Sequence, residues 1–125
     1  MNTLENLVIE GTKNMPRINF ETNGRLYISG IIIPDNAVPF FETLTHWTNE
    51  LCNVDVVFDV EVEYMNTSAT MQLFGLLRSM EENINIRSLT VNWHYEEDDE
   101  DHFDTGQFFE EKLDKAKFKY LLAAA

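Results

Sequence analysis

The chain is short of the residues that staple or punctuate a fold. One cysteine, Cys52, excludes an intramolecular disulfide and gives no sign of an oxidising compartment. Three prolines and five glycines leave no linker rich in either, and no glycine-rich phosphate loop. Cations are scarcer still: nine Lys and Arg stand against 22 Asp and Glu, a net charge of −13. Binding nucleic acid or an anionic membrane needs clustered Lys and Arg to release counterions, so neither is expected as a partner. No apolar run approaches the roughly 18 residues of a membrane span. Met1 to Glu10 has neither a charged n-region nor an apolar h-region, so it does not resemble a signal peptide and a cytoplasmic location is expected.

What is present is a foldable core. Apolar residues make up 44% of the chain and aromatic ones 12%, enough at 125 residues for one folded domain over 1–125. Arg17 to Phe20 and Arg25 to Ile33 predict two strands joined at Asn23-Gly24, a pair suited to positive φ. Pro34 stops the second. Asp35 or Asn36 then caps a helix to about Leu51, with Phe40, Phe41, Leu44, Trp47 and Leu51 at helical spacing and Pro39 in its first turn. Cys52, at the end of that apolar face, is expected to be structural. Val54 to Met65 alternates as a buried strand, with Val54, Val56, Phe58, Val60, Val62 and Tyr64 on one side.

Asn66-Thr67-Ser68 opens a helix with the stripe Ala69, Leu73, Phe74, Leu77 and Met80, and Ile86 to Tyr95 predicts a further strand. After the acidic run Glu96 to Asp101, a third helix is expected from Thr105 to about Lys117, with a short strand from Phe118 to Leu122. This order predicts an α/β sandwich on a mixed sheet with about three helices. The strands flanking the middle helix should be parallel, with a right-handed crossover.

Asn66-Thr67-Ser68 is the candidate site, because it joins the carboxyl end of a buried strand to the amino end of a helix. Asn66 is suited to cap the helix, which leaves the Thr67 and Ser68 hydroxyls beside backbone N–H groups without intrahelical partners. Phosphate added there brings roughly −1.5 to −2 charges that a helix N-terminus tolerates. Simple capping explains the same three residues.

The run Glu63-Tyr64-Met65-Asn66-Thr67-Ser68 resembles the Tyr-x-Asn-Thr-Ser block of the SiaC family of bacterial regulatory phosphoproteins. Further blocks agree in order and spacing: Thr12 to Ile18 with Pro16, Gly30 to Ala37, and Asn92-Trp93-His94-Tyr95-Glu96 followed by Asp98-Asp99-Glu100-Asp101. The resemblance implies a fold like that of STAS anti-sigma-factor antagonists and a protein that switches partners rather than an enzyme. It implies phosphorylation at Thr67, with Ser68 as the alternative acceptor, by a dedicated serine/threonine kinase. A serine/threonine phosphatase would reverse it, and the unphosphorylated form would bind and activate a diguanylate cyclase. Asn66, Ser68, Pro34, Asp35, Asn36, Asp98 and Asp99 are then candidates for the partner interface. The chain departs from the family pattern at Ile32-Ile33, where a Ser-Tyr pair is usual, and at Ala69, where a second serine commonly follows.

Two other functions compete. A constitutive scaffold needs only the cap. A small metal protein would use Glu96 to Asp101 with His94 and His102, but adjacent acids cannot all turn toward one ion, and the run lacks the ligand spacing and central glycine of an EF-hand. His46, His94 and His102 have no cysteine companions at zinc spacing, and His46 is expected at the surface. Neither Gly-x-Ser-x-Gly nor HExxH occurs, so no metal, cofactor or catalytic residue is assigned. Asp59 and Glu61 are expected on a strand face turned to solvent or a partner.

Overall fold

Alternation along the central strands puts one face of a sheet under helices and leaves the other polar. The computed structural model describes residues 4–33 and 37–123. In order, these form β1 (Leu7–Ile9), β2 (Arg17–Phe20), β3 (Arg25–Ile32), α1 (Ala37–Asn49), β4 (Val54–Met65), α2 (Thr67–Glu82), β5 (Ile86–Tyr95), α3 (Glu100–Lys112) and β6 (Ala116–Leu122). The strands make one sheet in sequence order, antiparallel from β1 to β3 and parallel from β3 to β6. This is the expected α/β sandwich of STAS-like type, with a mixed sheet. The two strands flanking α2 are parallel, as the sequence order predicts.

Val56, Phe58, Val60 and Val62 of β4 and Leu89, Val91 and Trp93 of β5 lie on the covered face. They share one core with Phe41, Leu44 and Trp47 of α1, Leu73, Leu76 and Leu77 of α2, and Phe109 of α3. Asp59, Glu61, Asn92 and His94 occupy the alternate, polar face, where cross-strand neighbours hydrogen-bond in place of a second helical layer.

The Asn23-Gly24 turn is as expected, and its glycine is required twice. Gly24 has φ +98°, and a Cβ there would lie 2.3 Å from the Asp55 carbonyl oxygen. Its own carbonyl accepts the Val57 N–H at 3.0 Å, locking the turn to β4. Gly24→Ala should therefore cost more than the roughly 1–2 kcal/mol of a left-handed backbone alone. A thermal midpoint equal to that of the parent would contradict this reading.

Several boundaries differ from expectation. β1 was not foreseen: its three residues are too few to show periodicity, and it is held by pairing with β2. The third helix begins at Glu100 and ends at Lys112, not at Thr105 and Lys117. Half the acidic run is thus its cap and first turn, since carboxylates favour a helix N-terminus. Lys115 and Lys117 lie outside it; Lys115 Nζ donates to the carbonyls of Asn83 and Ile86 at 3.1 and 2.8 Å. Glu81 accepts the backbone N–H groups of Asp114, Lys115 and Ala116, which ends the helix and starts β6 at Ala116. Tyr64 leaves the buried alternation of β4, and Leu76 joins the α2 stripe while Phe74 is half-buried. Cys52 is exposed beyond the end of α1, which corrects its structural assignment. His46 is at the surface as expected. The expected cap at Asp35 or Asn36 and the stop at Pro34 lie outside the described residues.

Candidate functional site

The parallel strands β3, β4 and β5 end on the same edge of the sheet, and α1, α2 and α3 begin there. The N-termini of α2 and α3 are chemically opposite. At α3 the Asp99 carboxylate accepts the His102 N–H at 3.0 Å, with Glu100 and Asp101 in the first turn, so this helix supplies its own negative charge. At α2 the neutral Asn66 is the cap: its Oδ1 accepts the Ala69 N–H at 2.8 Å, and the first turn contains no acidic residue. The α1 first turn also has no acid, but its Ala37, Val38 and Pro39 carry no hydroxyl, whereas α2 opens on Thr67 and Ser68.

Asn66 is also tied to the sheet, its N–H donating to the Ile32 carbonyl at 3.2 Å, and its own carbonyl accepts from Thr70 N–H and Oγ1 at 2.9 Å each. Capping therefore accounts for Asn66 completely and makes no use of Thr67. Thr67 and Ser68 are both exposed, and among the described residues neither hydroxyl has a hydrogen-bond partner. Met71, one turn further along the same helical face, is 55% exposed, and Tyr64 at the end of β4 is 56% exposed. The two hydroxyls thus have exposed apolar side chains near them in sequence, at Tyr64 and Met71.

On the polar face, beside this edge, a cavity of about 380 Å³ lies between β3, β4, β5 and the start of α3. Glu61 accepts a hydrogen bond from the Tyr27 hydroxyl and faces His94 Nδ1 at 3.6 Å, while His94 Nε2 and Asp59 Oδ1 are 3.1 Å apart. The Glu61 bond, followed by burial, holds the Tyr27 phenol above its ordinary pKa. His102, expected only as a flank of the acidic run, stacks on Trp93 with ring centroids 4.7 Å apart. Burial pushes its pKa down, against opposing pulls from Asp99 and a hydrogen bond to the His94 backbone. Gly106 lets α3 approach this closely, because a Cβ there would lie 2.8 Å from the Trp93 ring. Placing the helix start at Asp99 would have revealed the His102, Gly106 and Phe109 face from spacing alone.

The structure thus brings Asn66, Thr67 and Ser68 together at α2, and Asp98 and Asp99 at the start of α3. Asp98 is exposed, and Asp99 is spent on its cap. Pro34, Asp35 and Asn36 lie outside the described residues. Among the described residues no group of three or more His, Cys, Asp or Glu is placed to hold a metal ion. An Asp98→Asn, Asp99→Asn variant should then keep the parent's melting temperature with and without Mg²⁺ or Ca²⁺, since Asn caps as well as Asp. Asp99→Ala should cost about 1 kcal/mol. A metal-dependent rise in the parent that the Asn variant loses would overturn this. No described helix is long and apolar enough to cross a membrane.

A family model described as "SiaC family regulatory phosphoprotein" matches residues 9–122. The fold is similar to that in a crystal structure of the diguanylate cyclase SiaD in complex with its activator SiaC from Pseudomonas aeruginosa. That match has TM-score 0.83 and 23% identity, and covers 94% of this chain and 99% of the other. A structure of SiaC of Pseudomonas aeruginosa matches with TM-score 0.80 and 21% identity over 95% of this chain and 99% of the other. The apo-SiaC crystal structure from the same organism gives 0.72 and 24% over 96% and 99%. At these identities the likeness establishes the fold. No curated protein sequence matches the chain.

Proposed function

The chain belongs to the SiaC family of regulatory phosphoproteins, a regulator and not an enzyme, and we propose that Thr67 is the residue through which it is regulated. In this reading the unphosphorylated protein binds and activates a diguanylate cyclase. A serine/threonine kinase ends that interaction by modifying Thr67, and a serine/threonine phosphatase restores it. The observation that carries the reading is the contrast between α2 and α3, two of the three helix starts at this edge. α3 is neutralised by its own carboxylates, whereas α2 presents an exposed, unbonded threonine in a first turn without any acid. Its free N–H groups and dipole accept a phosphate without unfolding the helix, worth about 0.3–1 kcal/mol at an exposed site. Family membership supplies the phosphoprotein, and the similar fold seen with a cyclase supplies the class of partner.

Asn66 and Ser68 flank the acceptor, and the exposed Tyr64 and Met71 offer apolar surface for a partner to cover. Asp98, Asp99 and the segment Pro34, Asp35, Asn36 remain candidates for the outer part of the same interface. Cyclic-dinucleotide signalling and a cytoplasmic location follow from this reading. Treatment with the cognate kinase and peptide mapping should place the phosphate on Thr67. Modification confined to Ser68 or to Thr105 would sink the assignment.

A further inference from the structure

Thr67 heads a line of side chains along α2. Met71, Phe74 and Arg78 follow it at steps of four, three and four residues, so the four share one helical face. Phe74 is half-buried, and its ring packs on Phe108 and Phe109 of α3 at 6.5 and 5.2 Å. Phe109 belongs to the core, but Phe108 is 49% exposed, and Lys112 follows it one turn later on α3. Single exposed apolar groups are common on any protein surface. Met71, Phe74 and Phe108 are instead contiguous and bridge two helices.

The positive charge of this strip lies at one end. Arg78 stands over the Phe74 ring at 5.8 Å and Lys112 over the Phe108 ring at 5.5 Å, so both cations border the aromatic pair on the side away from Thr67. In a chain of nine cations against 22 acids, two bordering one aromatic pair reverse the prevailing sign. Arg78 shares its charge with Glu82 at 3.5 Å in an exposed pair, and Lys112 has no ion pair among the described residues.

We propose that this strip seats an amphipathic helix of a protein partner, with apolar residues on Met71, Phe74 and Phe108 and a carboxylate reaching Arg78 and Lys112. Backbone groups within α2 and α3 are taken up by their own helices, so a strand finds no edge there and recognition falls to side chains. A helix presents apolar residues at i, i+3, i+4 and i+7, which fits a strip running roughly 16 Å from Thr67 to Arg78. A second copy of this chain fits less well: an isologous contact sets the same basic end against itself, and each copy carries a net charge of −13. Naming the occupant rests on the Thr67 reading, in which it is the cyclase that phosphorylation releases. Phosphate on Thr67 arrives one turn from Met71, at the end of the strip without a cation.

The test is calorimetry of a purified diguanylate cyclase against the parent, Phe108→Ala and an Arg78→Glu, Lys112→Glu double variant, with hydrogen exchange on the parent complex. Phe108→Ala should bind at least about tenfold more weakly, the loss expected of a central aromatic anchor. The charge-reversed variant should also lose about tenfold at low salt, and its deficit should shrink as salt rises. Val8→Ala, which alters an equally exposed residue on β1 at the far edge of the sheet, should bind like the parent. All three should melt within a few degrees of the parent, because the side chains changed are exposed. Amides of residues 71–78 and 104–112 should exchange more slowly in the complex. Parent-like affinity in both binding variants, or protection confined to other elements, would overturn the proposal; weak binding by the phosphorylated form would then leave the Thr67 reading standing. Weakened variants beside an unaffected phosphorylated form would support the strip and remove the switch. A parent that is dimeric in solution and becomes monomeric on Phe108→Ala would assign the face to a second copy and overturn the proposal.

Discussion

Phe58→Ala should lower the stability of the fold by about 3–5 kcal/mol, the usual range for emptying a buried aromatic position. Phe58 is fully buried at the middle of β4, between Leu26 of β3 and Val91 of β5 in register. Its ring meets Phe20 edge-on at 5.7 Å, and Phe20 in turn packs on Trp47 of α1 at 5.5 Å. Truncation therefore opens a cavity where the antiparallel half of the sheet, the parallel half and a helix all touch. The loss is large against the roughly 5–15 kcal/mol by which domains are stable at all. Tyr64→Ala on the same strand is the control: its side chain is 56% exposed, and its loss should stay within about 0.5 kcal/mol. Urea denaturation of both variants decides. A midpoint for Phe58→Ala equal to the parent's would remove Phe58 from the core.

The difference between these two residues also marks where sequence reasoning holds. Period-two alternation identified β4 from Val54 to Met65 without error in its bounds, because both faces of a central strand leave their signature in sequence. The same alternation put Tyr64 with Phe58, but the strand outruns the helical cover there and the side chain emerges beside the start of α2. The cap at Asn66 was legible because capping is local chemistry: an amide at the right residue, followed by a helical stripe. The α3 boundary was not, since acids gather in helical first turns as well as in loops, and the run Glu96 to Asp101 does not itself say where the helix starts. That displacement hid His102, whose place against Trp93 depends on where the helix begins. The polar-face cavity was beyond reach for a different reason. Glu61 and His94 come from separate strands, and only the register of β3 and β5 on β4 brings their neighbours together.

Phosphorylation of Thr67 should weaken binding of a diguanylate cyclase by roughly 10²–10³-fold, the effect of burying an anion that the interface leaves unpaired. Thr67 is exposed at the first residue of α2, so the phosphate is carried outward into the partner's contact and not into the core. The helix dipole favours it by no more than about 1 kcal/mol, too little to offset the loss of the interface. Thr67→Ala removes a hydroxyl that bonds nothing among the described residues and leaves the Asn66 cap intact, so the fold and the binding should both survive. Thr67→Asp brings one charge on a shorter group and should fall between the two. The whole account turns on calorimetry of three forms against the purified cyclase: unmodified, Thr67→Ala and phosphorylated. Equal affinities for the first two, with the third at least a hundredfold weaker (about 2.7 kcal/mol), is the predicted result. Equal affinities for all three would mean that Thr67 is no switch.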